Sequence, residues 1–223
     1  MGVPSKTAVV WLGLFVLGIG FGVVVTSHGL PWWLAPIISG VVFAGSVEFL
    51  LAGMLATATP LAAIAVTTFL VNARHLFYGL TFPLHLVHGR AAKAYSVYAL
   101  CDEAFALITT APAETLTSRR ILLTQAGLHS SWVAGSLLGG VAGGAFLRDV
   151  PGIDFVLTAL FTVLAIDAFR EDPDRTTMAL ALAAAGIALI LAPGAMLLIA
   201  MCAFAGMLVA RHLVARRAEP VRA

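Results

Sequence analysis

The stretch FLVNARHLFYGL, residues 69–80, sets Asn72, Arg74 and His75 in the middle of an otherwise apolar run. Those three residues mean different things in water and in lipid, so the fold follows from which of the two surrounds them. An ionisable side chain in the hydrocarbon core of a bilayer costs a few kcal/mol on insertion scales, so it has to face a cavity or a partner. Composition points to lipid. Of the 223 residues 61% are hydrophobic and 11% charged, and the mean hydropathy is +1.00, whereas soluble domains carry about 25% charged residues. The expectation is an all-α, polytopic membrane protein.

On both sides of this stretch, apolar windows of about 20 residues bounded by proline, glycine or charge clusters give eight segments. They are 8–26, 34–56, 61–82, 94–111, 125–147, 152–169, 177–192 and 194–210. The last two are short and meet at LAPGAM (191–196), so seven or eight spans are expected. The first segment follows Lys6 but is long for a leader, and no A-x-A-like site follows it, so it reads as a retained helix. With an N-terminus inside, nine Lys and Arg fall in cytoplasmic loops against three outside, Arg90, Lys93 and Arg148. That bias places both termini in the cytoplasm. The net charge of +2 comes mostly from the basic tail, Arg211 to Arg222, too sparse for a nucleic-acid surface. Cys101 and Cys202 lie in separate apolar runs and read as free thiols, with neither a disulfide nor a metal site indicated.

A shift of 90 residues aligns VVFAGSVEFLLAGMLA (41–56) with SWVAGSLLGGVAGGAF (131–146), and continues through Val66/Val156, Thr68/Thr158 and Leu70/Leu160, eight identities in positions 41–71. Three spans in each copy invert the second, a recurrent transporter plan in which helices are interrupted near the midplane. The implied organisation is a first three-helix repeat (1–92), a second, inverted one (93–170), and a C-terminal helix pair with a basic tail (171–223). Ala44-Gly45-Ser46 and Ala134-Gly135-Ser136 sit where segments two and five would be interrupted, each break presenting a half-helix N-terminus to an anion. The alternative is that these small residues let neighbouring helices pack closely.

Four places hold polar groups inside the apolar runs: Glu48; the trio Asn72, Arg74 and His75; Asp102 with Glu103; and Asp154 with Asp167 near the ends of segment six. Asn72 and His75 share a helix face, while Arg74 points about 200° away from Asn72. Arg74 is therefore the candidate to pair with Glu48, Asp102 or Glu103, either in a working cavity or as a structural ion pair. His75 reads as a proton carrier or as a packing histidine. Asp154 reads as a helix start with no further role. No Ser-His-Asp or H-E-x-x-H pattern points to an enzyme, and no cofactor is implied.

The stretches FAGSVEFL (43–50), LVNARHLFYGL (70–80) and DEAFAL (102–107), in this order and spacing, resemble the AzlC family of branched-chain amino-acid permeases. The resemblance covers segments one to six. It implies a bacterial inner-membrane exporter of apolar amino acids, coupled to protons and working with a small membrane subunit of the AzlD type. Glu48 departs from the pattern, because the family is expected to carry glutamine there. On this reading Gly45, Ser46, Glu48, Asn72, Gly135 and Ser136 bind substrate. Glu48, Arg74, His75, Asp102 and Glu103 carry the coupling proton or balance charge. The competing reading is a non-transporting membrane scaffold or sensor that uses the same polar residues for assembly.

Overall fold

The computed structural model describes residues 5–147, 173–191 and 196–218, with isolated positions between 158 and 170. It is helical, with no strand among the described residues. The chain forms two compact units, residues 1–59 with 72–159, and residues 60–71 with 160–223.

In the first unit, α1 (Ser5–Ser27) ends where Gly29 takes a positive φ of 76°. Segment two is not one helix but two: α2 (Leu34–Val41) and α3 (Ser46–Ala56) are separated by a break in which Phe43 and Gly45 have φ of 43° and 53°. A positive φ is routine only for glycine, and Gly45 at the N-cap of α3 meets that demand. Helix α5 (Arg74–Thr81) leads through a 3₁₀ turn at Leu84–Leu86 to α6 (Arg90–Tyr98) and α7 (Asp102–Thr109). Segment four is thus interrupted as well, at residues 99–101, a break that the repeat alignment did not anticipate.

Helix α8 (Ser118–Ala142) starts at Thr117, whose side chain accepts from the Arg120 N–H at 3.2 Å, and continues into a π turn at Gly143–Leu147. It runs unbroken through Ala134, Gly135 and Ser136, which corrects the expected interruption of segment five. The glycines there serve close packing. A Cβ at Gly135 or Gly139 would run into the carbonyl oxygen of Phe15 or Ile19 on α1, and one at Gly22 would run into the α8 backbone at Ser136 and Gly140. Gly18 and Gly22 on one helix and Gly135, Gly139 and Gly143 on the other, each four apart, form a small-xxx-small contact that brings two backbones together. Ser136 turns its hydroxyl back to the Val133 carbonyl at 2.9 Å.

The second unit holds α4 (Leu61–Asn72, up to residue 71), α9 (Arg175–Leu191) and α10 (Met196–Ala218). Ala184 and Ala188, four apart on α9, are buried. In each unit the outer faces are as apolar as the inner ones: Leu80 in the first is 80% exposed, and Leu61 and Ile190 in the second are each 82% exposed. Helices apolar all round belong in a large core or a membrane. By length and composition, Thr7–Ser27 and Leu61–Thr81 are the two helical stretches among the described residues long and apolar enough to cross one. Segment six, with Asp154, Asp167, Val156 and Leu160, falls outside the described residues apart from scattered positions.

Candidate functional site: two interrupted helices held by one

Glu48 lies in the first turn of α3 and is fully buried. Its Oε1 accepts the Ala44 N–H at 2.7 Å, and its Oε2 accepts the Ser39 hydroxyl and the Trp132 indole N–H, each at 3.0 Å. A glutamate three residues past the N-cap commonly reaches back to the free N–H groups of the chain entering the helix, so Glu48 holds the break from inside. The partners come from α2, the break and α8, and all are neutral donors. The pairing expected between Glu48 and Arg74 is absent from this set, and the Arg74 side chain lies outside the described residues.

The second break has its own acids. Asp102 and Glu103 occupy the first turn of α7, where negative charge suits the helix N-terminus. Asp102 Oδ1 accepts the Tyr78 hydroxyl at 2.8 Å, and the Tyr78 ring stacks on Phe105 at 4.3 Å. Glu103 lies beside the Cys101 thiol. His75, 5.2 Å from the Tyr78 ring, places Nδ1 3.2 Å from the Asn72 carbonyl, and Asn72 Oδ1 is buried without a hydrogen bond. His75, Gly79, Phe82, Val97 and Leu100 line an apolar pocket of about 200 Å³ beside this break. Asn72, His75 and Asp102 are therefore brought to the second break, and Gly45, Ser46 and Glu48 to the first. Gly135 and Ser136 are left in the α1–α8 contact.

The two breaks meet. Tyr98, which ends α6, donates to the Gly40 carbonyl near the end of α2 at 2.6 Å. Helix α8 supports both through residues that sequence reasoning passed over. The Gln125 amide donates to the Ser96 and Ala99 carbonyls at 2.8 and 3.2 Å and so caps α6. His129 packs its ring 4.5 Å from Phe43 in the first break and 5.6 Å from Tyr98. Trp132 holds Glu48 and stacks on Phe21 at 6.0 Å. Gln125, His129, Trp132 and Ser136 are spaced four, three and four, one face of a helix, and that polar stripe was the available signal.

A sequence model of the AzlC protein family matches residues 9–146. The branched-chain amino acid transport protein AzlC of Bacillus subtilis is 34% identical over 218 residues, 96% of this chain and 85% of that one. An uncharacterized membrane protein of Helicobacter pylori is 33% identical over 173 residues, 77% and 74% of the two chains. The inner membrane protein YgaZ of Escherichia coli is 28% identical over 190 residues, 79% and 76%. No solved structure matches. With the family pattern spanning α1 to α8 and a third of the residues shared with a relative along nearly the whole chain, the chain belongs to the AzlC family.

Proposed function

We propose that this chain is a secondary transporter that exports branched-chain and similar apolar amino acids across the bacterial inner membrane, coupled to protons and assembled with a small AzlD-type subunit. The observation that carries the reading is the pair of interrupted helices meeting at their breaks, each with an acid in the first turn of its second half. Interrupted helices are where transporters place substrate, because free backbone groups and half-helix ends become available there. The printed name of the Bacillus subtilis relative supports the substrate class.

On this reading the N-terminal turns of α3 and α7, with Gly45 and Ser46 opening the first, receive the substrate carboxylate. The pocket beside His75 and Gly79 takes an apolar side chain. Glu48, Asp102 and Glu103, balanced by Arg74, carry the ammonium contact and the coupling charge, with Asn72 and His75 at the second break. The chain crosses the membrane seven or eight times with both termini cytoplasmic.

The test is export. Cells fed leucine- or valine-containing dipeptides accumulate the free amino acid. Cells carrying this chain with its small partner should accumulate several-fold less, and equal accumulation with and without the chain overturns the reading.

A further inference from the structure

Helices α1 and α8 run in the same direction. Trp11 donates its indole N–H to the Thr124 carbonyl at 3.3 Å, and further along Gly18 lies against Trp132, Gly22 against Gly140 and Thr26 against Gly143. The start of α8, with Arg119 and Arg120, is therefore at the end of the pair where α1 begins, and Gly143 is where α1 stops. Helix α2 follows Trp32, whose carbonyl lies against Gly140, and reaches the level of His129 and Trp132 at the first break. Helix α3 then turns back, with Phe49 5.4 Å from Phe21 and Gly53 facing His28 just past the end of α1. Helices α6 and α7 do the same from the opposite end. The chain enters α6 beside the start of α8, where the His88 N–H reaches the Ser118 hydroxyl at 3.3 Å and Val87 packs with Ile121. It climbs to Gln125 and His129, which meet Ala99 and Tyr95, and α7 brings Ile108 back to Ile121. We propose that α2–α3 and α6–α7 are re-entrant hairpins, which dip into the membrane from opposite faces and meet tip to tip at the Tyr98–Gly40 bond. This deepens the transporter reading above, since it gives each face its own hairpin, with that seam as the barrier between them.

Length agrees with this path. Helices α2, α6 and α7 have 8, 9 and 8 residues and α3 has 11. At about 1.5 Å per residue each is roughly 12–16 Å long, about half of a hydrocarbon core of about 30 Å. Backbone that leaves a helix at that depth is tolerated only where protein satisfies it, and both tips have such partners. Glu48 accepts the Ala44 N–H, Tyr98 donates to the Gly40 carbonyl, and Gln125 donates to the Ser96 and Ala99 carbonyls. Charge supplies independent support. Eight crossings leave Arg90 and Lys93 outside, against the positive-inside rule. A re-entrant α6–α7 brings them to the end that holds Arg119 and Arg120, which is the cytoplasmic one. Between the hairpins the chain crosses once, and Leu61–Thr81 is long and apolar enough to do so. Two of the eight apolar segments then dip and return instead of crossing, and both termini stay on one side.

The test is labelling of single cysteines by a membrane-impermeant maleimide, in the full-length chain with Cys101 and Cys202 replaced by alanine. Spheroplasts expose the outer face and inverted vesicles the cytoplasmic one. Two loops change sides between simple crossing and re-entry, so each receives two exposed or half-exposed positions: Thr57→Cys and Thr59→Cys after α3, Arg90→Cys and Lys93→Cys before α6. Pro31→Cys and Glu114→Cys stay outside and inside on either path and calibrate the two preparations. The first pair should react several-fold more in spheroplasts and the second pair several-fold more in inverted vesicles. Reaction of either pair from the opposite side overturns the proposal, and the second position in each loop decides where one variant fails to insert. Export by the wild type, measured alongside, separates the two readings. No export with the expected labelling removes the transporter and leaves the hairpins, whereas export with Arg90→Cys and Lys93→Cys labelled from outside removes the hairpins alone.

Discussion

Tyr98 donates its hydroxyl hydrogen to the Gly40 carbonyl at 2.6 Å, joining α6 to α2 at the point where each stops being a helix. Gly40 cannot find an i+4 N–H partner because the chain breaks two residues on, and a helix-end carbonyl of this kind needs a donor from elsewhere. Replacing Tyr98 by Phe keeps the ring and removes that donor. A neutral hydrogen bond of this type contributes about 0.5–1.5 kcal/mol, and Tyr98 is partly exposed, so the loss should fall near the low end. The melting temperature should drop slightly while export falls clearly, because the bond joins the two breaks. Unchanged export in Tyr98→Phe would detach this contact from the working site.

How much of this was legible in the sequence depends on whether the cause of each feature is local. The break in segment two is written in Gly45 and in the acid three residues later. The break in segment four has no glycine or proline; YALCDEAF stops α6 because Gln125, 26 to 29 residues further on, supplies donors to the Ser96 and Ala99 carbonyls. No pattern within a helical turn can carry that information. The repeat misled for a related reason. Ala-Gly-Ser reads the same at 44–46 and 134–136, and only the facing backbone of α1 makes the second copy a packing surface. The polar stripe on α8 was visible as TQAGLHSSW (124–132) but was hidden by choosing segments on apolarity alone.

The indole of Trp132 gives Glu48 one of its donors while its ring fills space against Phe21 and Phe49. Trp132→Phe separates the two roles. The lost hydrogen bond contributes about 0.5–1.5 kcal/mol, and loss of ring volume adds to it. The variant should therefore unfold more readily than Tyr98→Phe. Thermal unfolding checks this, and a Trp132→Phe chain as stable as Tyr98→Phe would show that the indole bond contributes little.

The glycines of α1 and α8 differ by position, not by type. A methyl group at Gly139 meets the Ile19 carbonyl, whereas one at Gly13 or Gly20 meets nothing within 4 Å. Gly139→Ala should force two backbones apart at a cost of about 1–3 kcal/mol or more. Gly13→Ala should be neutral or stabilising by about 0.4–1 kcal/mol, through the lower entropy of the unfolded chain. Thermal unfolding of the two variants side by side decides the point, and equal effects would mean that α1 and α8 do not approach as closely as described.

In the second unit, Asp174 precedes α9 and accepts the Thr176 and Thr177 N–H groups at 2.9 and 3.1 Å, while Arg211 on α10 reaches its Oδ2 at 2.6 Å. The Arg211 guanidinium, with the Thr177 hydroxyl and these N–H groups, holds the Asp174 carboxyl well below the usual carboxylate range. A depressed folded-state pKa means that the contribution to stability is fully present above the unfolded value, about 3.9 for aspartate. It is lost as pH falls through the folded one. The contribution of this pair to the melting temperature should therefore be fully present and constant between about pH 5 and 8, and should decline under stronger acid. Asp174→Asn should flatten that acid limb, and because Arg211 and Asp174 are 45% and 30% exposed, salt should weaken the effect. An acid limb identical in wild type and Asp174→Asn would mean that the link between α9 and α10 rests on their apolar contact alone.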